Sequence, residues 1–409
     1  METKVAQRTE HLFRKEYSRL VSVLTARYGR QKLELAEDAV QDALVKAMQV
    51  WGFQGIPEKP SAWLYRVASN KLIDDLRKER PMTNTLLEVN GEDLLRSYQI
   101  EDDQLRMLFA CCHPALKQQD QIILSLKILA GLHLKEIASA LFKTEEAVKK
   151  QYQRARKKFR IEVGEIELPS EKELEERLNS VLKVIYLIFN EGYSASFGND
   201  LIRMEICEEA LVLALMLRKN TRFNKPEVNA LIALFCFSMA RMPARTNNKG
   251  ELVILAEQDR SKWDPFLVKE GLKAMSKASS GEKRSAYHLE AGISGIHSTA
   301  KFYKDTDWPA ILYHYDALLS LTGSPIVALN RIVAFAKVHG SERGLEELYE
   351  LDSDEHLHKT PLLFSIKAQL YFDMGRRKKG GAELEKAIGL ANNDAERRHL
   401  EKMFSKYAE

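Results

Sequence analysis

Apolar residues recur every three or four positions along nearly the whole 409-residue chain, and no stretch alternates as strands do. The segment Thr144–Arg160, TEEAVKKQYQRARKKFR, is the clearest case, because it places Val148, Tyr152, Ala155 and Phe159 on one stripe. A chain made of such segments must bury these stripes between helices. We therefore predict an all-α fold.

The same segment carries a concentrated positive charge. From Lys143 to Arg160 there are eight Lys or Arg residues against Glu145 and Glu146, a balance of +6 in a chain whose total is +4. One face of this helix needs a core, and the opposite face is suited to an anion.

A short amphipathic segment, LHLKEIASALFKT, comes directly before the basic helix. Thr144 can cap the basic helix, and two glutamates follow at the positive end of its dipole. A short helix, a turn and a longer helix form a helix-turn-helix, whose second helix enters the major groove of DNA. The alternative is a solvated charged face on an ordinary helix. The predicted base-reading residues are Glu145, Glu146, Lys149, Lys150 and Gln153, and the predicted phosphate contacts are Arg154, Arg156, Lys157, Lys158 and Arg160.

Changes in composition divide the chain into four parts. Residues 1–80 contain three predicted helices, near Glu10–Tyr28, Leu33–Trp51 and Ser61–Arg80. Residues 81–103 hold six acidic residues and one arginine, a balance of −5, and are predicted to form a linker. Residues 104–165 contain the helix-turn-helix, and residues 170–409 form a long helical remainder.

A second basic helix is predicted in PSAWLYRVASNKLIDDLRKERP. Leu64, Ala68, Leu72 and Leu76 recur once per turn and should be buried, while Arg66, Asn70, Arg77 and Lys78 are among the outward residues. Composition alone would describe this segment as an ordinary surface helix.

The remaining composition is that of a globular protein, with 45% hydrophobic and 29% charged residues. No apolar stretch approaches the roughly 18 residues of a membrane span, and the N-terminus lacks a signal core, so we expect a cytoplasmic protein. The run CCHP at Cys111–Pro114 invites a metal interpretation, but no second ligand cluster completes a zinc site, and core packing is favoured. DEHLH around His356 and His358 is likewise interpreted as a loop.

The C-terminal part contains a weak internal repeat. Gly340 and Gly375 lie 35 residues apart, and each precedes a second helix. Tetratricopeptide-like helix pairs have a period near 34 residues, and Ala368, Tyr371, Gly375, Gly380, Leu384 and Ala387 fall at suitable spacings. Generic helical packing is the alternative.

Several long motifs together resemble a known family. AEDAVQDALVKAMQVW, AWLYRVASNKLIDDLRKER and LHLKEIASALFKTEEAVKKQYQRARKKFR resemble, in order, the two conserved domains of bacterial RNA polymerase sigma factors of the extracytoplasmic-function type. VLKVIYLIFNEGYSAS, LVILAEQDRSKWD, TDWPAILYHYDALL and SPIVALNRIVAFA are similar to the C-terminal extension of the subgroup that has a tetratricopeptide-like tail.

The resemblance implies partners for three sets of residues. Asp38, Gln41 and Asp42 would dock on the clamp helices of core RNA polymerase. The helix-turn-helix would read the minus-thirty-five element near the polymerase flap. The residues that would bind the melted minus-ten strand are Arg66, Asn70, Lys71, Arg77 and Lys78. About 20 linker residues at ~3.3 Å each reach roughly 65 Å, nearly two DNA turns of ~34 Å.

Some positions depart from the family pattern. Phe142 replaces the usual glycine of the turn, EAVKKQ replaces GTVKSR, and Ser69 replaces a common arginine. These changes fall among base-reading positions, so the promoter sequence cannot be transferred.

We therefore expect a sigma factor with neither catalytic residues nor a bound cofactor or metal. Its C-terminal domain is expected to modulate its activity and to offer a surface for a protein or peptide partner. One alternative is a ligand-responsive, dimeric helix-turn-helix regulator that acts without core polymerase. Another is a helical-repeat scaffold, which would show little salt-dependent DNA binding.

Overall fold

A computed structural model describes residues 2–79, 97–141, 143–193, 203–247, 251–281, 283–351, 357–391 and 394–408. Over these residues the regular structure is helical and contains no β-strand. The β-type pairing found there is an isolated antiparallel bridge between Thr246 and Leu252. The chain divides into two compact units, one made of Met1–Ala195 and Arg203–Phe223, the other built from Asn224–Glu409. The predicted all-α fold is confirmed.

Nine α-helices are described in the first unit. They are α1 (Glu2–Tyr28), α2 (Leu33–Gln54), α3 (Pro60–Glu79), α4 (Ser97–Cys111), α5 (Gln118–Ile128), α6 (Leu134–Ala140), α7 (Glu145–Glu162), α8 (Leu174–Tyr193) and α9 (Met204–Lys219). The helix α1 begins well before the predicted start near Glu10.

The helices α2 and α3 pack through the stripes that the sequence predicts. The buried residues are Val40, Ala43, Ala47 and Trp51 of α2 and Leu64, Ala68, Leu72 and Leu76 of α3. The Trp51 and Trp63 rings lie 5.5 Å apart between their centroids. Each fully buried large aliphatic side chain contributes about 1.5–3 kcal/mol, so these stripes hold the helices together.

The end of α4 carries the CCHP run. Cys111 and Cys112 are completely buried, and burial raises the pKa of both thiols, to about 12 for Cys112. Within the described residues, no group of three or more potential metal ligands forms a cluster. The core-packing interpretation of the two cysteines is confirmed.

The helices α6 and α7 follow each other as the predicted helix-turn-helix requires. The Thr144 hydroxyl caps α7 by accepting a hydrogen bond from the Ala147 N–H at 3.2 Å. The predicted stripe of Val148, Tyr152, Ala155 and Phe159 is buried. Both the cap and the stripe are therefore confirmed.

The helices that follow α7 also belong to the first unit. The buried Arg177 of α8 donates a hydrogen bond to the Phe109 carbonyl of α4. The Phe223 ring, just after α9, lies 4.8 Å from the Phe109 ring. Arg203 forms an ion pair with Glu136 of α6. The start of the C-terminal extension is thus packed onto the helices of the helix-turn-helix region.

The second unit contains nine further described α-helices. They are α10 (Pro226–Ala240), α11 (Pro265–Ala278), α12 (Ala286–Thr299), α13 (Trp308–Thr322), α14 (Pro325–His339), α15 (Ser341–Glu350), α16 (Pro361–Asp373), α17 (Arg377–Leu390) and α18 (Asp394–Ala408).

The helix α10 is the centre of the first part of this unit. Every residue from Val228 to Ala240 is buried. Glycines on two neighbouring helices approach the Phe237 ring: a Cβ atom added to Gly271 would lie 2.6 Å from Phe237 Cε1, and one added to Gly295 would lie 3.1 Å from Cε2. The absence of a side chain at Gly271 therefore permits the close packing of α11 on α10.

Two consecutive helix pairs, α14–α15 and α16–α17, show the same local features. Gly340 and Gly375 have φ angles of 96° and 71°, which favour glycine after a helix. Ala368, Tyr371, Leu384 and Ala387 lie in one buried cluster, and a side chain on Gly380 would clash with the Phe372 ring. The helical pairing fits a tetratricopeptide-like arrangement, which stays a prediction.

Some predicted features lie outside the described residues. These are residues 81–96 of the acidic linker, Phe142 of the turn and His356. The last linker residues, from Ser97 onward, lie in α4. Among the described helices, none combines the length and apolar content needed to cross a lipid bilayer.

We expect Gly271→Ala to lower the free energy of unfolding by roughly 1–3 kcal/mol, because the new methyl group overpacks the Phe237 ring. Gly389→Ala is the matched control, since its Cβ would meet open space, and it should leave stability unchanged or raise it by up to about 1 kcal/mol. Urea unfolding followed by circular dichroism measures both. Equal stability of the two variants would contradict the proposed close contact.

Candidate nucleic-acid interface

One face of α7 is polar and exposed. Positions three and four residues apart lie side by side on a helix, so all but one of the residues predicted to read the minus-thirty-five element form one surface, the exception being Arg156. This exposed set is Glu146, Lys149, Lys150, Gln153, Arg154 and Lys157. Glu145 and Arg160 are exposed as well, whereas Lys158 is half-buried, with its amine 3.8 Å from Asp120.

The internal pairings on this face are weak. The Lys150 amine lies 2.7 Å from the Glu146 carboxylate, and Arg154 Nε donates to the Lys150 carbonyl at 3.3 Å. An exposed ion pair of this kind contributes only about 0–1 kcal/mol. These cations can therefore exchange their present partners for phosphate groups at little cost.

Arg156 is turned away from this exposed face. Its guanidinium is ion-paired with two carboxylates of α2, at 2.7 Å from Glu34 and 3.4 Å from Glu37. The residue follows Tyr152 by one helical turn, so it lies beside the buried stripe. Arg156 therefore joins α7 to α2 through ion pairs with acidic side chains, and its guanidinium is not directed toward the exposed face.

Glu37 is the centre of that connection. Its side chain is buried, with 4% exposure, and it accepts hydrogen bonds from the Tyr17 hydroxyl at 2.8 Å and the Tyr152 hydroxyl at 2.6 Å. Burial and the neighbouring Glu37 charge raise the pKa of both tyrosines well above their ordinary value, so both stay protonated as donors. Three helices, α1, α2 and α7, thus meet at one carboxylate.

The predicted minus-ten residues lie along α3. Arg66 and Asn70 are exposed one turn apart. Three others are held by acidic neighbours: Lys71 lies 3.3 Å from both Asp42 and Asp75, Arg77 lies 3.9 Å from Asp74, and Lys78 lies 3.0 Å from Asp75. Hydrogen bonds with Asp75 and Asp42 raise the pKa of Lys71.

The predicted polymerase-binding residues are neighbours on α2. Asp38, Gln41 and Asp42 are all exposed. Although Asp38 is exposed, its carboxylate is partly desolvated by the protein beside it, and this desolvation, followed by the nearby Glu34 charge, raises its pKa. The Lys71–Asp42 ion pair brings this set into contact with the minus-ten set.

Sequence reasoning missed the apolar continuation of this α2 face. Val45 and Met48 are 48% and 57% exposed. They follow Gln41 and Asp42 at helical spacing, and this spacing was the signal that could have identified them. Acidic residues beside exposed apolar ones form a surface suited to a protein partner.

Comparisons with known proteins identify three domains. Residues 12–81 match the Sigma-70 region 2 family, residues 106–159 match the Sigma-70, region 4 family, and residues 177–279 match a family of unknown function, DUF6596. An uncharacterized protein of Rhizobium meliloti (strain 1021) is 34% identical over 384 residues, which cover 91% of this chain and 90% of that protein. No solved structure matches.

We expect Tyr152→Phe to destabilise the docking of α7 on α2 by about 1–3 kcal/mol, because the buried Glu37 carboxylate loses a donor. Hydrogen-exchange mass spectrometry of peptides from α7 should show faster exchange. Tyr313→Phe, at a 60% exposed tyrosine, is the control and should leave α7 unchanged. Unaltered exchange in Tyr152→Phe would show that this hydrogen bond does not hold the helix.

Proposed function

We propose that this chain, which belongs to one family with the Rhizobium meliloti protein and carries Sigma-70 region 2 and region 4 domains, is an RNA polymerase sigma factor of the extracytoplasmic-function type. It binds core polymerase, recognises two promoter elements and helps to hold the melted strand. The observation that carries this proposal is the presence of both domains together with the exposed basic face of α7. Sigma factors are not enzymes, because bond formation belongs to the polymerase.

The exposed face of α7 is proposed to read the minus-thirty-five element. Residues near the start of a recognition helix approach base edges, and later ones approach phosphates. Lys149, Lys150 and Gln153 have donors for base edges, while Arg154 and Lys157 are placed for the backbone. The exposure of all five residues supports this assignment.

The α3 residues are proposed to bind the melted minus-ten strand. Asn70 offers a donor and an acceptor for an extruded base, and the exposed Arg66 can neutralise a phosphate. Lys71, Arg77 and Lys78 would exchange their aspartate partners for phosphates.

The exposed α2 face is proposed to dock on the polymerase clamp helices. Asp38 and Asp42 supply negative charge for a basic partner, and Gln41 supplies hydrogen bonds. Val45 and Met48 extend the contact with apolar area, which exposed charges alone would lack.

We further propose that the α2–α7 contact opens when the protein binds a promoter. The linker can reach roughly 65 Å, nearly two DNA turns of ~34 Å, so the two DNA-binding domains can separate by that much. The Tyr152–Glu37 hydrogen bond instead holds α7 directly against α2, and it must break before the linker can be extended. Arg156 would then leave Glu34 and Glu37 and become available for a phosphate.

The C-terminal extension is proposed to modulate this activity as a tetratricopeptide-like domain with a protein or peptide partner. Support comes from α8 and α9, because Arg177 and Arg203 connect them to α4 and α6. A change in the extension can therefore reach the DNA-binding domain through packed helices.

In vitro transcription from a promoter pool tests the main proposal. We expect initiation at discrete start sites only when the purified protein and core polymerase are both present. Sequence-specific DNA binding without polymerase, and no initiation with it, would instead support a conventional regulator.

Substitutions in the same assay test which surface of the protein contacts polymerase and which contacts DNA. Asp38→Ala with Asp42→Ala should weaken polymerase binding, whereas Glu175→Ala with Glu176→Ala, an equal charge change on exposed α8 residues, should not.

Lys149→Ala or Gln153→Ala should alter minus-thirty-five preference, with the exposed Lys183→Ala as control.

A chain ending at residue 223 should initiate at a different rate, and an equal rate would contradict the modulating role.

For the opening of the α2–α7 contact, we expect Glu34→Gln to tighten binding of the free protein to minus-thirty-five DNA by about two- to five-fold, because it removes the shorter of the two ion pairs that hold Arg156 and leaves only the 3.4 Å pair with Glu37. Fluorescence anisotropy at several salt concentrations measures this. Glu175→Gln makes the same charge change on α8 and should give a smaller gain.

A double-mutant cycle separates release of Arg156 from a general charge effect. In the Arg156→Gln background, Glu34→Gln should give no more gain than Glu175→Gln. An undiminished gain there would show that Arg156 is not the group released.

A further inference from the structure

Several buried side-chain polar atoms among the described residues of the second unit have no hydrogen-bond partner, and four of them lie in segments that meet around Arg260. These four are Arg260 Nη2, Trp263 Nε1, His297 Nδ1 and Thr306 Oγ1. Trp263, His297 and Thr306 are each more than nine-tenths buried. Buried polar groups are normally paired, and each orphaned donor or acceptor costs about 1–3 kcal/mol. Four such atoms in neighbouring segments therefore indicate a missing binding partner.

Arg260 brings these segments together. Its Nη1 atom donates to the carbonyls of His297 at 2.5 Å and Ala300 at 2.6 Å, and its guanidinium carbon lies 4.7 Å from the centre of the Trp263 ring. These contacts fix the guanidinium while Nη2 remains without a hydrogen-bond acceptor.

Aromatic rings complete the surroundings. The Trp308 ring lies 5.5 Å from the His297 ring and 5.6 Å from the Tyr303 ring. Arg260, Tyr303 and Trp308 are only half-buried, so the cluster borders the surface.

The nearby carboxylates are engaged elsewhere. Asp259, Asp264, Asp305 and Asp307 each accept a hydrogen bond from a backbone N–H in their own turn or helix start. Among the described residues, none forms an ion pair with Arg260 within 4 Å. The Arg260 guanidinium therefore has no carboxylate in direct contact, and the Asp305 charge acts on it only from a greater distance.

His297 is consistent with this environment. Burial, and then the charges of Arg241 and Arg260, lower its pKa to about 4. At neutral pH the ring is uncharged and can still form a hydrogen bond through Nδ1.

We propose that this cluster, defined as Arg260, Trp263, His297, Thr306 and Trp308, binds a small ligand through a phosphate or carboxylate group. The Arg260 guanidinium supplies the charge, the Trp263 indole and Thr306 hydroxyl donate hydrogen bonds, and the Trp308 ring contacts the rest of the ligand. This site is independent of the proposed transcriptional function.

Indole N–H signals in a nitrogen-15 NMR spectrum of the full chain test the proposal directly. The chain has four tryptophans, and Trp51 and Trp63 lie in the other unit, so they act as internal controls. Trp263→Phe and Trp308→Phe assign the two site signals. Sodium phosphate and sodium acetate are titrated separately, with sodium chloride holding the ionic strength constant.

We expect a saturable shift of the Trp263 signal with phosphate or acetate, without a comparable shift of Trp51 or Trp63. The anion that acts at lower concentration identifies the preferred group. A response to neither anion, or an equal response to chloride, would overturn the proposal and leave water as the partner of these atoms.

Variants locate the binding group. Arg260→Gln should weaken the response about ten-fold or more, because a charge-assisted hydrogen bond is lost. The exposed Arg284→Gln makes the same charge change in the same unit and should leave the response unchanged. An equal response in both variants would overturn the assignment.

If Arg260→Gln does not fold, Thr306→Val is the alternative variant that tests the site. It removes an orphaned hydroxyl and leaves the Arg260 hydrogen bonds intact, so the ligand-free protein should keep its stability while the Trp263 response weakens. An unchanged response in Thr306→Val would remove that hydroxyl from the site.

Discussion

The first unit depends on one buried carboxylate. Glu37 has almost no contact with water, so its charge requires partners, and the hydroxyls of Tyr17 and Tyr152 with the guanidinium of Arg156 supply them. Because these groups come from α1, α2 and α7, satisfying the charge also fixes how the three helices meet. An apolar residue at this position would relax that geometric requirement, since apolar contacts tolerate small shifts that a hydrogen-bonded charge does not.

The contact between α2 and α7 also determines which charged side chains of the surrounding surface are paired within the chain. The acidic residues of α2 attract Arg156 of α7 and Lys71 of α3, while the opposite face of α7 keeps exposed cations. A protein that must contact both a polymerase and DNA carries acidic and basic surfaces that also attract each other. In the free protein, these two surfaces can satisfy part of their charge internally, and external partners then compete with contacts within the chain.

Local patterns predicted the helices well. The buried stripes of α2, α3 and α7 and the Thr144 cap follow from spacing within one or two turns, which the sequence displays directly. Long-range pairings are different. Arg156 and Glu37 are 119 positions apart, and the sequence, which placed Arg156 among the outward phosphate contacts, showed no sign of this pairing. The contacts of Arg177 and Phe223 with Phe109, and the orphaned atoms around Arg260, likewise arise only when distant segments fold together.

The buried cysteine pair has a consequence for the kinds of signal that this chain can receive. Thiols react with peroxides as thiolates, and a thiol with a pKa near 12 is almost entirely protonated at neutral pH. Cys207 and Cys236 are buried as well. Burial shields all four thiols from solvent in the folded chain, and for Cys111 and Cys112 it also disfavours the reactive thiolate.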